Sequence, residues 1–139
     1  MEGLKIGFDL DGVVTKESKA YKIATRLKIP WIIVQIGSLF SRRFLKPSEE
    51  DIIITGRSVK DKWCTELWCK MHRIKPKKIY YNYTDSLDRE DIALYKREVI
   101  DSEGIDIYLE DDKEIAKRIG YSVIPFEVKG KKLYCIFRK

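Results

Sequence analysis

Two aspartates and a glycine end the first apolar run of the chain, residues 4–8. In an extended strand, residues i and i+2 point to the same side, so Asp9 and Asp11 would face one point, roughly 6–7 Å apart along the strand. Gly12 then permits a sharp turn at little steric cost. Two carboxylates at the end of a strand suit a site for Mg²⁺ and an attacking oxygen. The alternative is a strand that simply ends in an Asx-type turn.

Further polar side chains follow two later strands of the predicted sheet. Thr55 and Gly56 come after a run of three isoleucines, and an acidic run occupies residues 110–112. Lys96 lies on the helical segment between them. In parallel α/β sheets, ligands bind outside the carboxyl ends of the strands. The sequence therefore predicts one site that combines carboxylates, a hydroxyl group and a lysine.

This combination of side chains suits phosphoryl transfer. A carboxylate can attack phosphorus and form an acyl phosphate, and a second carboxylate can protonate the leaving group and then activate water. Mg²⁺ on oxygen ligands would offset the repulsion between nucleophile and phosphate. Lysine and hydroxyl donors would hold the phosphoryl oxygens.

The elements that must position these residues alternate along the chain. Strand patterns cover residues 4–8, 51–55, 78–83 and 105–109, and the segment 121–137 is strand-rich with a turn near residues 129–130. Helical patterns cover residues 17–28 and 59–72. An acidic loop at 84–88 starts a third helix that runs to about residue 103, and a short helix ends at residue 120. This alternation predicts an α/β fold, a three-layer Rossmann-like parallel sheet with helices on both faces, in a single domain of residues 1–139. In the helix at 59–72, we expect a buried side formed by Trp63, Leu67, Trp68 and Met71.

Four motifs in this order resemble those of the haloacid dehalogenase-like (HAD) phosphohydrolase superfamily. They are Asp9-Leu10-Asp11-Gly12-Val13-Val14, Ile54-Thr55-Gly56-Arg57, Lys96 and Leu109-Glu110-Asp111-Asp112. The resemblance spans residues 4 to about 120, and its later part is similar to the nucleotidase-like branch. An aspartate at the position of Asp11 is what the phosphatases of this superfamily carry.

The resemblance implies a role for each matched residue. Asp9 would be the nucleophile that becomes phospho-aspartate, and Asp11 would be the general acid and base. Mg²⁺ would be held by the Asp9 carboxylate, the backbone carbonyl of Asp11 and Asp111. Thr55, Gly56 and Lys96 would bind the transferring phosphoryl group.

Each of these positions also has a structural interpretation. Thr55 could cap the following helix or turn, and Lys96 could be an exposed helix lysine. The acidic run at 110–112 could be the start of a helix, where the helix dipole favours negative charge. Because that run has three acids, Glu110 and Asp112 are alternate ligands if the register shifts by one. Arg57 either contacts the substrate phosphate or braces the loop.

Substrate choice in this superfamily depends mainly on cap insertions. Residues 15–50 have room for a small, mostly helical cap after the first strand. Its aromatic and apolar part, residues 31–45, either covers a small phosphorylated metabolite or nucleotide or forms a homo-oligomer interface. We expect a Mg²⁺-dependent phosphatase. The alternatives are a phosphatase that acts on nucleic-acid ends or another polyanion, and a non-catalytic binding domain with this fold.

The net charge of +6 is distributed unevenly. Residues 1–81 carry a net charge of +8, residues 82–114 a net charge of −8 and residues 115–139 a net charge of +6. The basic clusters could bind a polyanion, although no nucleic-acid-binding motif accompanies them. The N-terminus lacks a basic region before a long apolar run, and no apolar stretch is long enough to span a bilayer. We therefore expect a cytoplasmic protein with no membrane partner.

Overall fold

The computed structural model describes residues 3–11, 13–15, 46–84, 86, 88–110 and 112–120, and the backbone of residues 124–129 and 132–135. The predicted helix at 17–28 and the apolar segment at 31–45 lie outside these residues. So does most of the predicted cap at 15–50.

Six described strands form one sheet in the order β3-β2-β1-β4-β5-β6. The first five are parallel, and β6 pairs with β5 in the antiparallel direction. The α/β fold class and the strand-rich end of the chain are therefore confirmed. The strands are β1 (Ile6–Phe8), β2 (Ile52–Ser58), β3 (Lys78–Asn82), β4 (Ile107–Glu110), β5 (Ile124–Lys129) and β6 (Lys132–Cys135).

The described helices are α1 (Lys62–Met71), α2 (Arg89–Glu103) and α3 (Lys113–Ile119), and a 3-10 turn, Val59–Asp61, precedes α1. Side chains cap the starts of α2 and α3. Asp88 accepts from the backbone N–H of Glu90 at α2, which satisfies a donor that the helix itself leaves unpaired. Gly104 ends α2 at φ 65°, a left-handed conformation that glycine adopts without a steric penalty. None of the described helices is long and apolar enough to cross a membrane.

The core lies on both faces of the sheet because successive strand residues point to opposite sides. On β2, Ile52 and Ile54 pack with residues of α2 and α3. Ile53 points the other way and packs in a second cluster with Trp68 of α1. Helices therefore cover both faces, as the sequence predicts.

The predicted buried side of α1 is right for Trp68 and wrong for its other three members. Trp63, Leu67 and Met71 are 46, 41 and 55% exposed. The face that meets the sheet is instead formed by Cys64, Thr65, Trp68 and Cys69. Two apolar stripes thus lie side by side on this helix, and the one that faces the sheet combines Trp68 with two cysteines and a threonine.

Candidate active site

Asp9, Lys96 and Glu110 form a buried cluster at the carboxyl edge of the sheet. The Lys96 Nζ donates to Asp9 Oδ1 at 3.0 Å and to Glu110 Oε2 at 2.7 Å. All three side chains are almost wholly buried. The backbone N–H of Asp9 donates to the Leu109 carbonyl at 2.9 Å, which keeps Asp9 beside β4. The structure thus brings together three residues of the first, third and fourth sequence motifs.

The positive charge of Lys96 and the negative charges of its two carboxylate partners stabilise one another inside the protein. Burial acts to lower the pKa of Lys96, but the Asp9 and Glu110 carboxylates raise it more, so the net shift is upward. Burial acts to raise the pKa of Glu110, but Lys96, with hydrogen bonds from its neighbours, lowers it overall. Lys96 is therefore an ammonium group and Glu110 a carboxylate at neutral pH.

Tyr108 is a member of this cluster that the sequence analysis missed. Its hydroxyl lies 3.0 Å from Glu110 Oε2 and 3.3 Å from the Ile54 carbonyl oxygen. Its ring centroid lies 5.6 Å from the Lys96 Nζ. The available signal was its position two residues before Glu110 on the same strand, which places both side chains on one face of the sheet.

Thr55 lies fully buried in β2, which runs three residues beyond its predicted end. Its Oγ1 accepts from the backbone N–H of Arg57 at 3.1 Å, so the structure shows Thr55 in a local turn contact. The Gly56 carbonyl oxygen accepts from the Asn82 Nδ2 at 3.3 Å. Asn82 is buried at the end of β3 and also bonds the Ser86 carbonyl oxygen at 2.8 Å. Asn82 is not among the predicted site residues, although an amide at the carboxyl end of a predicted strand is a signal that indicates such a position.

Asp11 and Arg57 form a bidentate pair beside the cluster. Arg57 Nε lies 2.9 Å from Asp11 Oδ2, and the second terminal nitrogen lies 2.5 Å from Oδ1. Arg57 also donates to Thr65 Oγ1 at 3.1 Å, which links the end of β2 to α1. These contacts fit the bracing role of Arg57, and its contact with a substrate phosphate stays a prediction.

The carboxylates of Asp9 and Asp11 have different partners because the extended chain ends early. Strand β1 stops at Phe8. The backbone N–H groups of residues 13–15 then turn back to the Leu10 carbonyl. The Asp11 side chain is 51% exposed and lies on Arg57, whereas Asp9 is buried on Lys96.

The acidic run after β4 divides between two roles. Asp112 starts α3, where its Oδ1 accepts from the backbone N–H groups of Glu114 and Ile115. Its Oδ2 accepts from Arg89 at 2.9 Å. Burial acts to raise the pKa of Asp112, but the Arg89 and backbone hydrogen bonds lower it overall. The helix-start interpretation therefore describes Asp112, while Glu110 faces Lys96 and Asp111 lies outside the described residues.

The predicted metal site is tested only by its described members. Within residues 3–120 where side chains are described, no group of three or more His, Cys, Asp and Glu side chains is close enough to hold a metal ion. Asp111, the third predicted ligand, lies outside these residues. The donors fit Mg²⁺ chemically, because they are oxygen atoms and the two buried carboxylates of the cluster share one ammonium group. Asp9, the Asp11 carbonyl and Asp111 would hold such an ion.

Comparison with known proteins supports the fold. No family model matches the sequence, and no curated protein matches it. Among solved structures, a chain of the Pnkp1/Rnl/Hen1 RNA repair complex is similar, with a TM-score of 0.58 and 15% sequence identity. The match covers 89% of this chain and 42% of that chain. What the two share is the α/β fold.

Proposed function

We propose that this protein is a Mg²⁺-dependent phosphomonoester hydrolase that works through a phospho-aspartate on Asp9. The observation that carries the proposal is the buried Lys96, whose ammonium group contacts both Asp9 and Glu110. A buried lysine between two carboxylates is costly to desolvate. Its position at the carboxyl edge of an α/β sheet, where ligands bind, supports a catalytic site.

In the first step of the proposed reaction, an Asp9 carboxylate oxygen attacks phosphorus. The bond from phosphorus to the ester oxygen breaks, and the leaving oxygen takes a proton from the Asp11 carboxyl group. In the second step, the Asp11 carboxylate removes a proton from water, and the water oxygen attacks the acyl phosphate. The bond from phosphorus to Asp9 breaks, which releases inorganic phosphate and restores both carboxyl groups.

Lys96 contributes charge to both steps. Its ammonium group lies 3.0 Å from Asp9 Oδ1, where it reduces the repulsion between the nucleophile and an incoming phosphate. The same group is placed to hold a phosphoryl oxygen as charge shifts during transfer. Mg²⁺ bound by Asp9, the Asp11 carbonyl and Asp111 would add positive charge at the same point.

Asp11 reaches the leaving oxygen only after its side chain releases Arg57. The Asp11 side chain is 51% exposed, which leaves room for this rotation. In this proposal, the Asp11 side chain pairs with Arg57 between turnovers.

A small phosphorylated metabolite or nucleotide is the substrate class that we favour. Phosphate at a nucleic-acid end is the second candidate, supported by two observations. The fold is similar to that of a chain in an RNA repair complex, and residues 1–81 carry a net charge of +8, which would attract a polyanion.

The first test is hydrolysis of an aryl phosphate with Mg²⁺, with Asp9→Asn as the variant. We expect activity that EDTA removes and that falls by at least about a thousandfold in Asp9→Asn, since the nucleophile is lost. Asp106→Asn is the matched control, because Asp106 is exposed at the opposite edge of the sheet, where it accepts from the Lys5 backbone N–H. An Asp9→Asn protein that is as active as the wild type would refute the nucleophile assignment.

The substrate class is tested with nucleotides, sugar phosphates and end-phosphorylated oligonucleotides in rising salt. A metabolite phosphatase should prefer one of the small substrates at every salt concentration. A preference for oligonucleotides with kcat/KM that falls steeply with salt would favour the second candidate. A wild type that binds phosphate but hydrolyses none of these substrates would favour the non-catalytic domain.

A further inference from the structure

The hydroxyl of Tyr108 contacts the Glu110 carboxylate inside the buried cluster. It lies 3.0 Å from the Oε2 atom that also accepts from Lys96 at 2.7 Å. Tyr108 is fully buried, as are Glu110 and Lys96. One carboxylate oxygen is thus held by two donors from two elements, β4 and α2.

The hydroxyl group of Tyr108 stays protonated in this position. Burial raises the pKa of Tyr108 well above its usual value, and the nearby Glu110 and Asp9 charges raise it further. The hydroxyl therefore donates to Glu110, and the Ile54 carbonyl oxygen at 3.3 Å is its alternative acceptor.

The position of the Glu110 carboxylate affects Asp9 because Lys96 contacts both side chains. A lysine side chain has four rotatable bonds, and its ammonium group stays at one point only when its acceptors are fixed. Asp9 is held by its backbone at β4. The second acceptor, Glu110, is held at Oε1 by the Asp112 backbone N–H at 3.3 Å. Its Oε2 atom, which accepts from Lys96, has Tyr108 as its other described donor.

We propose that Tyr108 is a positioning residue, which holds the Glu110 carboxylate so that the Lys96 ammonium group is fixed at the Asp9 nucleophile. This inference rests on the proposed function for its catalytic consequence and on the hydrogen-bond geometry for its structural part.

The molecule contains a second tyrosine, glutamate and lysine group that serves as a matched comparison. At the amino edge of the sheet, the Tyr80 hydroxyl bonds Glu103, whose other oxygen contacts the Lys5 Nζ at 3.1 Å. The side chains of Lys5 and Glu103 are partly exposed. Tyr80→Phe therefore removes the same kind of hydrogen bond at the opposite edge from Asp9.

The test compares Tyr108→Phe with Tyr80→Phe in aryl phosphate hydrolysis. We expect Tyr108→Phe to lower kcat roughly tenfold, the effect of losing a hydrogen bond to a charged group, with little change in KM. Tyr80→Phe should leave kcat unchanged. A loss of kcat of the same size in both variants would overturn the inference, since it would reflect general destabilisation, and so would an unchanged kcat in Tyr108→Phe.

A second readout does not depend on activity. The nitrogen NMR signal of the Lys96 ammonium group, assigned by its loss in Lys96→Met, should be sharp in the wild type because the group is buried and bonded. We expect the signal to shift or broaden in Tyr108→Phe and to stay the same in Tyr80→Phe. An unchanged signal in Tyr108→Phe would overturn the inference. If the signal responds while the wild type hydrolyses nothing, the positioning role holds and the proposed function fails.

Discussion

Lys96 is the residue on which the candidate site depends most. A buried ammonium group is stable only when carboxylates compensate for its lost hydration, and Asp9 and Glu110 do so here. The sequence placed Lys96 beside Arg97 on a helix and left open an exposed position. The structure decides the question, because Lys96 is buried whereas Arg97 is exposed and only 3.9 Å from Asp101, one turn away.

Replacing Lys96 with methionine leaves two neighbouring carboxylates buried without their ammonium partner. We expect Lys96→Met to lose about 3–5 kcal/mol of unfolding free energy at pH 7, the usual effect of removing one partner of a buried ion pair. Arg97→Met, the adjacent control, should lose less than about 1 kcal/mol. Denaturant unfolding of both variants checks this, and equal losses would contradict the assigned role of Lys96.

At the scale of elements, α1 shows how packing selects between two apolar stripes. Trp68 lies in the core cluster with Ile53 and Leu109, and its ring stacks on His72 with centroids 4.3 Å apart. Trp63 lies on the exposed stripe. A tryptophan on the buried face of this helix should therefore contribute more to the free energy of unfolding than one on the exposed face.

We expect Trp68→Ala to destabilise the protein by about 3–5 kcal/mol, because it leaves a large cavity in the core. Trp63→Ala should cost less than about 1 kcal/mol, because a half-exposed side chain loses little buried surface. Thermal unfolding of the two variants distinguishes them. A Trp63→Ala protein as unstable as Trp68→Ala would contradict the orientation of α1.

At the scale of the whole molecule, the strand order places the site. Strand β1 lies between β2 and β4, with α1 on one face and α2 and α3 on the other. In such sheets, ligands bind where neighbouring strands connect to opposite faces. Asp9 follows β1, Glu110 ends β4 on the same edge, and Thr55 lies within β2, three residues before that strand ends.

The charges of this arrangement predict an acid-sensitive fold. The pKa of Glu110 is lowered on balance, because Lys96 outweighs burial, and the pKa values of Glu103 and Asp112 are also lowered. A lowered pKa contributes stability that is present above the unfolded value, about 4.3 for glutamate, and is lost as pH falls through the folded value. We therefore expect the melting temperature to fall below about pH 4.5.

Lys96→Met provides the control for the contribution of the cluster. Without the ammonium group, Glu110 keeps its hydrogen bond from Tyr108 but loses the charge that most lowers its pKa. Burial then favours the protonated form, so this variant should lose less stability than the wild type as the pH falls. Thermal unfolding between about pH 4 and pH 8 measures both proteins. Parallel pH profiles would show that the Glu110 and Lys96 pair contributes nothing to acid sensitivity.

The sequence by itself determined the α/β class, the alternation of strands and helices, and the residues at the carboxyl edge. The elements follow from the periodicity of apolar residues, which is visible within each short segment. The shared edge follows because parallel strands end on the same side of a sheet. The end of α2 at Gly104 and the hairpin formed by β5 and β6 belong to the same category.

Only the tertiary structure decided which side chains meet. The contacts of the buried Lys96 with Asp9 and Glu110 and the pairing of Arg57 with Asp11 join residues from different elements. Their geometry depends on how far each strand extends and on which stripe of a helix faces the sheet. Local sequence does not fix these quantities, because two apolar stripes, as on α1, satisfy the same pattern and packing against distant residues selects one of them.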